Sequence, residues 1–118
     1  MNLLLVDDST YIRESAKAEL KNTSEFNYFE APDYNAAFEI LKKESIDILL
    51  VDTVLPGLSG AKLTEKTLTL KSDLKIFGLS TQNKGLTHKK LLSSGALKIL
   101  KKPITLESLK NAIQEYTI

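Results

Sequence analysis

Apolar residues recur along the chain in five short runs, each broken off by polar or charged positions and each followed by a stretch of helical spacing. Asn2 to Val6 is a strand-length apolar run that stops at Asp7-Asp8. Phe26 to Glu30 is aromatic-rich and strand-like. Ile46 to Val51, interrupted only by Asp47, stops at Asp52, and Leu74 to Leu79 stops at Ser80. Leu97 to Leu100 runs into Lys102-Pro103. Between these runs, Ser9 or Thr10 caps a helix reaching Asn22, with Ile12, Ala16 and Leu20 four residues apart. Asp33 caps a second helix with Ala37, Ile40 and Leu41 on its apolar face. Gly60 to about Leu70 makes a third, with Leu63, Thr67 and Leu70 at helical spacing. A shorter fourth helix ends near Ser94, where Gly95 is the stop signal. Thr105 caps the last, whose Leu106, Leu109, Ala112, Ile113 and Tyr116 form one stripe. A Pro56-Gly57 turn follows the third strand and a polar loop, Ser80 to Gly85, follows the fourth.

Five strand–helix units with continuously apolar strands predict an α/β fold, a five-stranded parallel sheet covered by helices on both faces. Right-handed crossovers leave few topologies. In such a doubly wound sheet the carboxyl ends of the strands share one edge, so Asp7, Asp8, Asp52, Ser80 and Lys102 are predicted to converge there.

The 118 residues fit one domain, and the pattern contains no repeat, low-complexity tract or linker. There is no cysteine, which excludes disulfides and thiolate metal sites. No apolar run approaches the ~18 residues needed to span a bilayer, and the acidic residues after the first run are unlike a signal peptide. These features lead to the expectation of a cytoplasmic protein without a membrane partner. The net charge of +1 hides an asymmetry: residues 1–59 carry five Lys/Arg against eleven Asp/Glu, and residues 60–118 carry eleven Lys against four acids. The lysines are spread along helix faces without an arginine cluster or interleaved aromatics, so no direct nucleic-acid binding is expected. Lys42-Lys43 and Lys89-Lys90 read as solvated faces, and His88 as a helix-surface residue with no partner.

Three carboxylates gathered at one edge repel one another and resist ionisation unless a cation neutralises them. Magnesium suits such a site, since it takes hard oxygen ligands, one or two protein carboxylates, waters and phosphate oxygens. A carboxylate can act as a nucleophile towards phosphorus and form an aspartyl phosphate. Lys102 brings a positive charge for a phosphate oxygen and Ser80 a hydroxyl donor for another.

The segments LLLVDDS at residues 3–9, LLVDTVLPGLSG at 49–60, IFGLS at 76–80 and GALKILKKP at 95–103 resemble the receiver domain of two-component response regulators, the family that includes the chemotaxis regulator. The resemblance covers essentially the whole chain and implies a flavodoxin-like (βα)5 three-layer sandwich with strand order 2-1-3-4-5, residues 1–118 forming a single receiver domain. It implies Asp52 as phosphoacceptor, and Mg2+ (or Mn2+) bound directly by Asp8, largely through water by Asp7, and by Asp52 and the backbone carbonyl of Val54. Lys102 would contact the phosphoryl group, with its bond to Pro103 commonly cis in the family. Ser80 would move towards the phosphoryl group and signal its arrival. The implied partners are a histidine kinase or histidine phosphotransfer protein facing the first helix, and a downstream protein target. The target would meet the fourth helix, fifth strand and fifth helix of a monomer or weak phosphorylation-dependent dimer. The chain would catalyse only its own phosphotransfer and dephosphorylation.

Three positions depart from the family pattern. Ile99 stands where the family usually carries the Tyr or Phe that swings inward with the hydroxyl residue. Leu55 stands where Met is common, a volume-conserving change. Thr81 follows Ser80 where a smaller residue is frequent, and its bulk would narrow access to Asp52. Two other readings compete. A phosphorylation-independent interaction module is kept open by Ile99. A magnesium-dependent phosphohydrolase of the haloacid dehalogenase type would need an acid/base Asp two residues beyond its nucleophile; Val54 holds that place after Asp52, and Ser9 after Asp7.

Overall fold

The first, third and fourth apolar runs become strands buried on both faces, which is why they read as continuous and not alternating, while the second and fifth become strands that are only partly buried. In the computed structural model, which describes residues 1–54, 59–81 and 85–116, the elements follow in strict alternation. They are β1 (Asn2–Val6), α1 (Thr10–Leu20), β2 (Asn27–Ala31), α2 (Tyr34–Lys43), β3 (Ile48–Asp52), α3 (Gly60–Leu70), β4 (Lys75–Ser80), α4 (Leu86–Ser93), β5 (Lys98–Lys101) and α5 (Leu106–Glu115). The expected Pro56-Gly57 turn, Leu55 and the middle of the 80–85 loop lie outside the described residues. All four strand pairings are parallel, in the order β2-β1-β3-β4-β5. This is the doubly wound, flavodoxin-like arrangement that the resemblance implies.

Successive side chains of a strand point to opposite faces, so the sheet divides the core in two. One half joins Leu3, Leu5, Ile48, Leu50, Phe77 and Leu79 to α1 and α5 through Ala16, Leu20, Leu109, Ala112 and Ile113. The other joins Leu4, Val6, Leu49, Val51 and Ile76 to α2, α3 and α4 through Ala37, Leu41, Leu63 and Leu91. Each fully buried leucine or isoleucine contributes about 1.5–3 kcal/mol relative to exposure. Of the five strands, β3 is the one buried at every residue.

Side-chain caps start four helices, at the expected Ser9, Asp33 and Thr105 and also at Ser59. Ser9 accepts from the Ile12 N–H at 3.3 Å, Asp33 from Ala36 at 2.9 Å, Ser59 from Lys62 at 3.2 Å and Thr105 from Ser108 at 3.1 Å. Such a cap stabilises a helix start by about 1 kcal/mol. Gly95 ends α4 at φ +120°, a conformation that side chains with a Cβ rarely adopt. Gly60 serves a close approach: a Cβ there would lie 2.6 Å from the backbone oxygen of Asp52, so only glycine lets α3 begin against the end of β3. Leu70, expected on the apolar face of α3, is exposed at the helix end. No helix among the described residues is long and apolar enough to cross a membrane.

Candidate functional site

The strand register brings distant residues to one edge. Val6 pairs with Val51, Asp52 with Leu79, and Ser80 with Lys101, so Asp7, Asp52, Ser80 and Lys102 sit at or one step past adjoining strand ends. Backbone hydrogen bonds continue the ladder beyond each strand: Asp7 donates to Ala31 at 3.1 Å, Thr53 to Leu79 at 3.1 Å, and Lys102 to Ser80 at 2.9 Å. The peptide bond between Lys102 and Pro103 is cis.

Asp7, Asp8 and Asp52 each offer a carboxylate oxygen within 4.8 Å of the others, among the described residues. Asp7 is fully buried, Asp52 nearly so, and Asp8 is open to solvent. The Lys102 ammonium bridges the two buried acids. Its Nζ lies 2.8 Å from Asp7 Oδ2, a close ion pair, and donates to Asp52 Oδ1 at 3.0 Å. Three carboxylates against one ammonium leave an excess of two negative charges, which one divalent cation balances. The donor set is all oxygen and partly solvated, as a hard cation requires. On charge and donor chemistry the residues fit magnesium.

Burial is the main reason the Asp52 carboxyl is held above its ordinary pKa, with the Asp7 charge adding to it. The hydrogen bonds from Lys102 and from the Val54 N–H, the latter at 3.2 Å, act in the opposite sense without prevailing. For Lys102, burial favours the neutral amine, but its bonds and Coulomb attraction to Asp7 and Asp52 outweigh burial and hold it above the usual lysine value.

The raised Asp52 pKa has a consequence for stability. The folded chain binds the Asp52 proton more tightly than the unfolded chain does. This contribution is therefore complete below the unfolded value and lost as pH rises through the folded one. Asparagine has no such ionisation. The stability of Asp52→Asn relative to the parent, measured by urea unfolding without divalent cations, should accordingly rise as the pH increases above about 4, the ordinary carboxylate value. A difference that stays flat or falls would show that pairing with Lys102 outweighs burial.

Two residues of the site escape sequence reasoning. Arg13, on α1, donates from Nη1 to the Asp7 carbonyl at 2.7 Å and pairs through Nε with Glu30 at 3.3 Å, fixing the Asp7 backbone from behind. The other is His88, and here the expectation of a partnerless surface residue is wrong. His88 is buried at 9% exposure, with Nε2 2.9 Å from the Ser80 hydroxyl. The signal was its spacing. Lys89 and Lys90 mark the solvated side of α4, which turns His88 inward with Leu91 three residues on. Val54 has an exposed side chain, as expected of a residue that would serve through its backbone, and Thr81 is exposed just past β4. Ile99 is half-buried, pairs with Gly78, and packs in the core half beneath α2, α3 and α4.

Residues 3–114 match the family described as the response regulator receiver domain. A cyclic di-GMP phosphodiesterase of Thermotoga maritima is 34% identical over 93% of this chain, and the sensor histidine kinase RcsC of Escherichia coli is 30% identical over 98%. The chain spans only 29% and 12% of those two proteins' lengths. Among solved structures, the signal receiver domain of an HD domain-containing protein from Pseudomonas fluorescens Pf-5 superposes with a TM-score of 0.87. It has 20% identity and covers 97% of this chain and 91% of that one.

Proposed function

The chain belongs to the response regulator receiver domain family, and from that membership we propose that it is a phosphorylation switch whose phosphoacceptor is Asp52. A carboxylate oxygen of Asp52 attacks phosphorus and forms an acyl phosphate. The phosphorus–nitrogen bond of a phosphohistidine donor breaks, and its electron pair leaves with the imidazole. The donor is a histidine kinase or a histidine phosphotransfer protein. Asp7, Asp8, Asp52 and the Val54 carbonyl would hold Mg2+ (or Mn2+). When bound, that ion supplies positive charge against the oxygens of the transferring group. Lys102 exchanges its Asp52 oxygen for a phosphoryl oxygen, and the Ser80 hydroxyl donates to another.

One observation carries this reading: Asp52 is a buried carboxylate, poised between a lysine ammonium 3.0 Å away and two further carboxylates. Support for α4, β5 and α5 as the output face comes from the apolar side chains α4 leaves in solvent, Leu86 and Leu92. Support for α1 as the donor-facing side comes from Tyr11, exposed in its first turn three residues after Asp8 in the chain. The test is acetyl phosphate with magnesium, read by intact mass. The parent gains one phosphoryl group, while Asp52→Asn and a magnesium-free control gain none. Failure of the parent to gain that mass overturns the reading.

A further inference from the structure

α4 is a short helix with an unusual attachment. Its two buried residues are His88 and Leu91, one turn apart, and its N-cap residue, Gly85, gives no side-chain capping bond. Leu91 anchors it by packing, whereas His88 anchors it by the 2.9 Å hydrogen bond between Nε2 and the Ser80 hydroxyl. Ser80 is itself buried at 4% exposure, on the strand next to Asp52. Ile99 beneath α4 has no polar atom with which to follow that hydroxyl.

We propose that His88 is the positioning residue of the Ser80 hydroxyl and the link through which the state of Asp52 reaches α4. The inference rests on Asp52 being the phosphoacceptor. A serine hydroxyl has one hydrogen to donate and lone pairs to accept with. Once that hydrogen is given to a phosphoryl oxygen on Asp52, Nε2 keeps its bond only as an N–H donor. A ring that carries its hydrogen on Nδ1 has to release Ser80 or exchange that hydrogen to Nε2, with no net change in protons. A ring that already donates is drawn along with the hydroxyl as Ser80 moves towards Asp52. In each case the environment of the ring changes, and with it one of the two anchors of α4. The polar link on α4 thus does the work for which β5 carries no aromatic residue.

His88 is the sole histidine of the chain, so a histidine-selective 15N label yields one pair of ring signals. The expected result is that those signals move when acetyl phosphate is added to the magnesium-loaded chain, beyond any change caused by magnesium alone, and that α4 amide signals move with them. His88→Phe keeps the bulk and removes the bond. In that variant the ratio of shifted to unshifted α4 falls about fivefold, the weight of one ordinary hydrogen bond. His88→Gln, whose amide can reach the same oxygen, restores the response. Intact mass is followed in every sample. A full phosphoryl gain with unmoved ring signals overturns the role of His88 and leaves Asp52 as acceptor, as does an α4 response in the Gln variant no better than in the Phe variant. Absence of the mass gain overturns both. The ring signals of the parent decide the matter even if the Phe variant fails to fold.

Discussion

Lys102→Met lowers the stability of the chain by about 3 kcal/mol in the absence of divalent cations, the usual cost of breaking a buried pair by removing one partner. Methionine keeps most of the aliphatic stem, so little packing is lost. What is lost is the one ammonium that bridges Asp7 and Asp52, at 2.8 and 3.0 Å, while both carboxylates stay buried. For a domain of this size the melting temperature should fall by about 10 °C. Magnesium should then recover most of the loss: a ligand at a hundred times its dissociation constant stabilises by about 2.7 kcal/mol. The metal-induced gain should be larger in the variant than in the parent, because the variant has one more uncompensated negative charge. Thermal unfolding by circular dichroism, with and without magnesium, measures all four values. An equal magnesium effect in parent and variant would show that Lys102 and the cation do not neutralise the same carboxylates.

Gly60→Ala should cost about 1–3 kcal/mol, the range for forcing atoms into a packed interior. The sign is informative because helix propensity alone points the other way: alanine exceeds glycine in a helix by about 0.5–1 kcal/mol. The clash wins because the atom in the way is the Asp52 carbonyl, backbone of a strand whose every residue is buried, and not the end of a flexible side chain. Relief requires α3 or the end of β3 to move, so the rate of phosphoryl gain from acetyl phosphate should fall with stability. Urea unfolding that shows Gly60→Ala at or above the parent's stability would mean that α3 makes no such close approach.

The sequence pattern located every element and misplaced most strand edges, for one physical reason. Apolarity reports burial, while a strand is defined by its ladder of backbone bonds. Phe26, Ile46 and Leu74 are buried before the ladders of β2, β3 and β4 begin, so the apolar runs start early. Asp52 and Ser80 take part in the ladders despite their polarity, so the runs also stop early. α3 was legible because its start at Gly60 and the spacing of Leu63 and Thr67 agree with the helix, although Leu70 at its end lies in solvent. Of the site, the residues at strand ends were readable because topology alone gathers them. Arg13 and His88 were not, since each reaches the site from a helix; for His88 the spacing of α4 carried the signal, but its polarity masked it. His88 shows the limit most clearly: polarity suggested solvent, and the partner that makes its burial tolerable lies eight residues earlier on another element.

The strand order also decides how the molecule behaves in a crowd of its own kind. β2 and β5 are the margins of the sheet, and a bare margin is a template on which another chain can add a strand. β5 is only four residues long, has lysine at both ends, and is followed at once by Lys102 and Pro103. β2 is five residues and carries Glu30. Short, charged borders of this kind discourage aggregation by sheet extension, which leaves the helical faces as the surfaces where association can occur without threatening solubility.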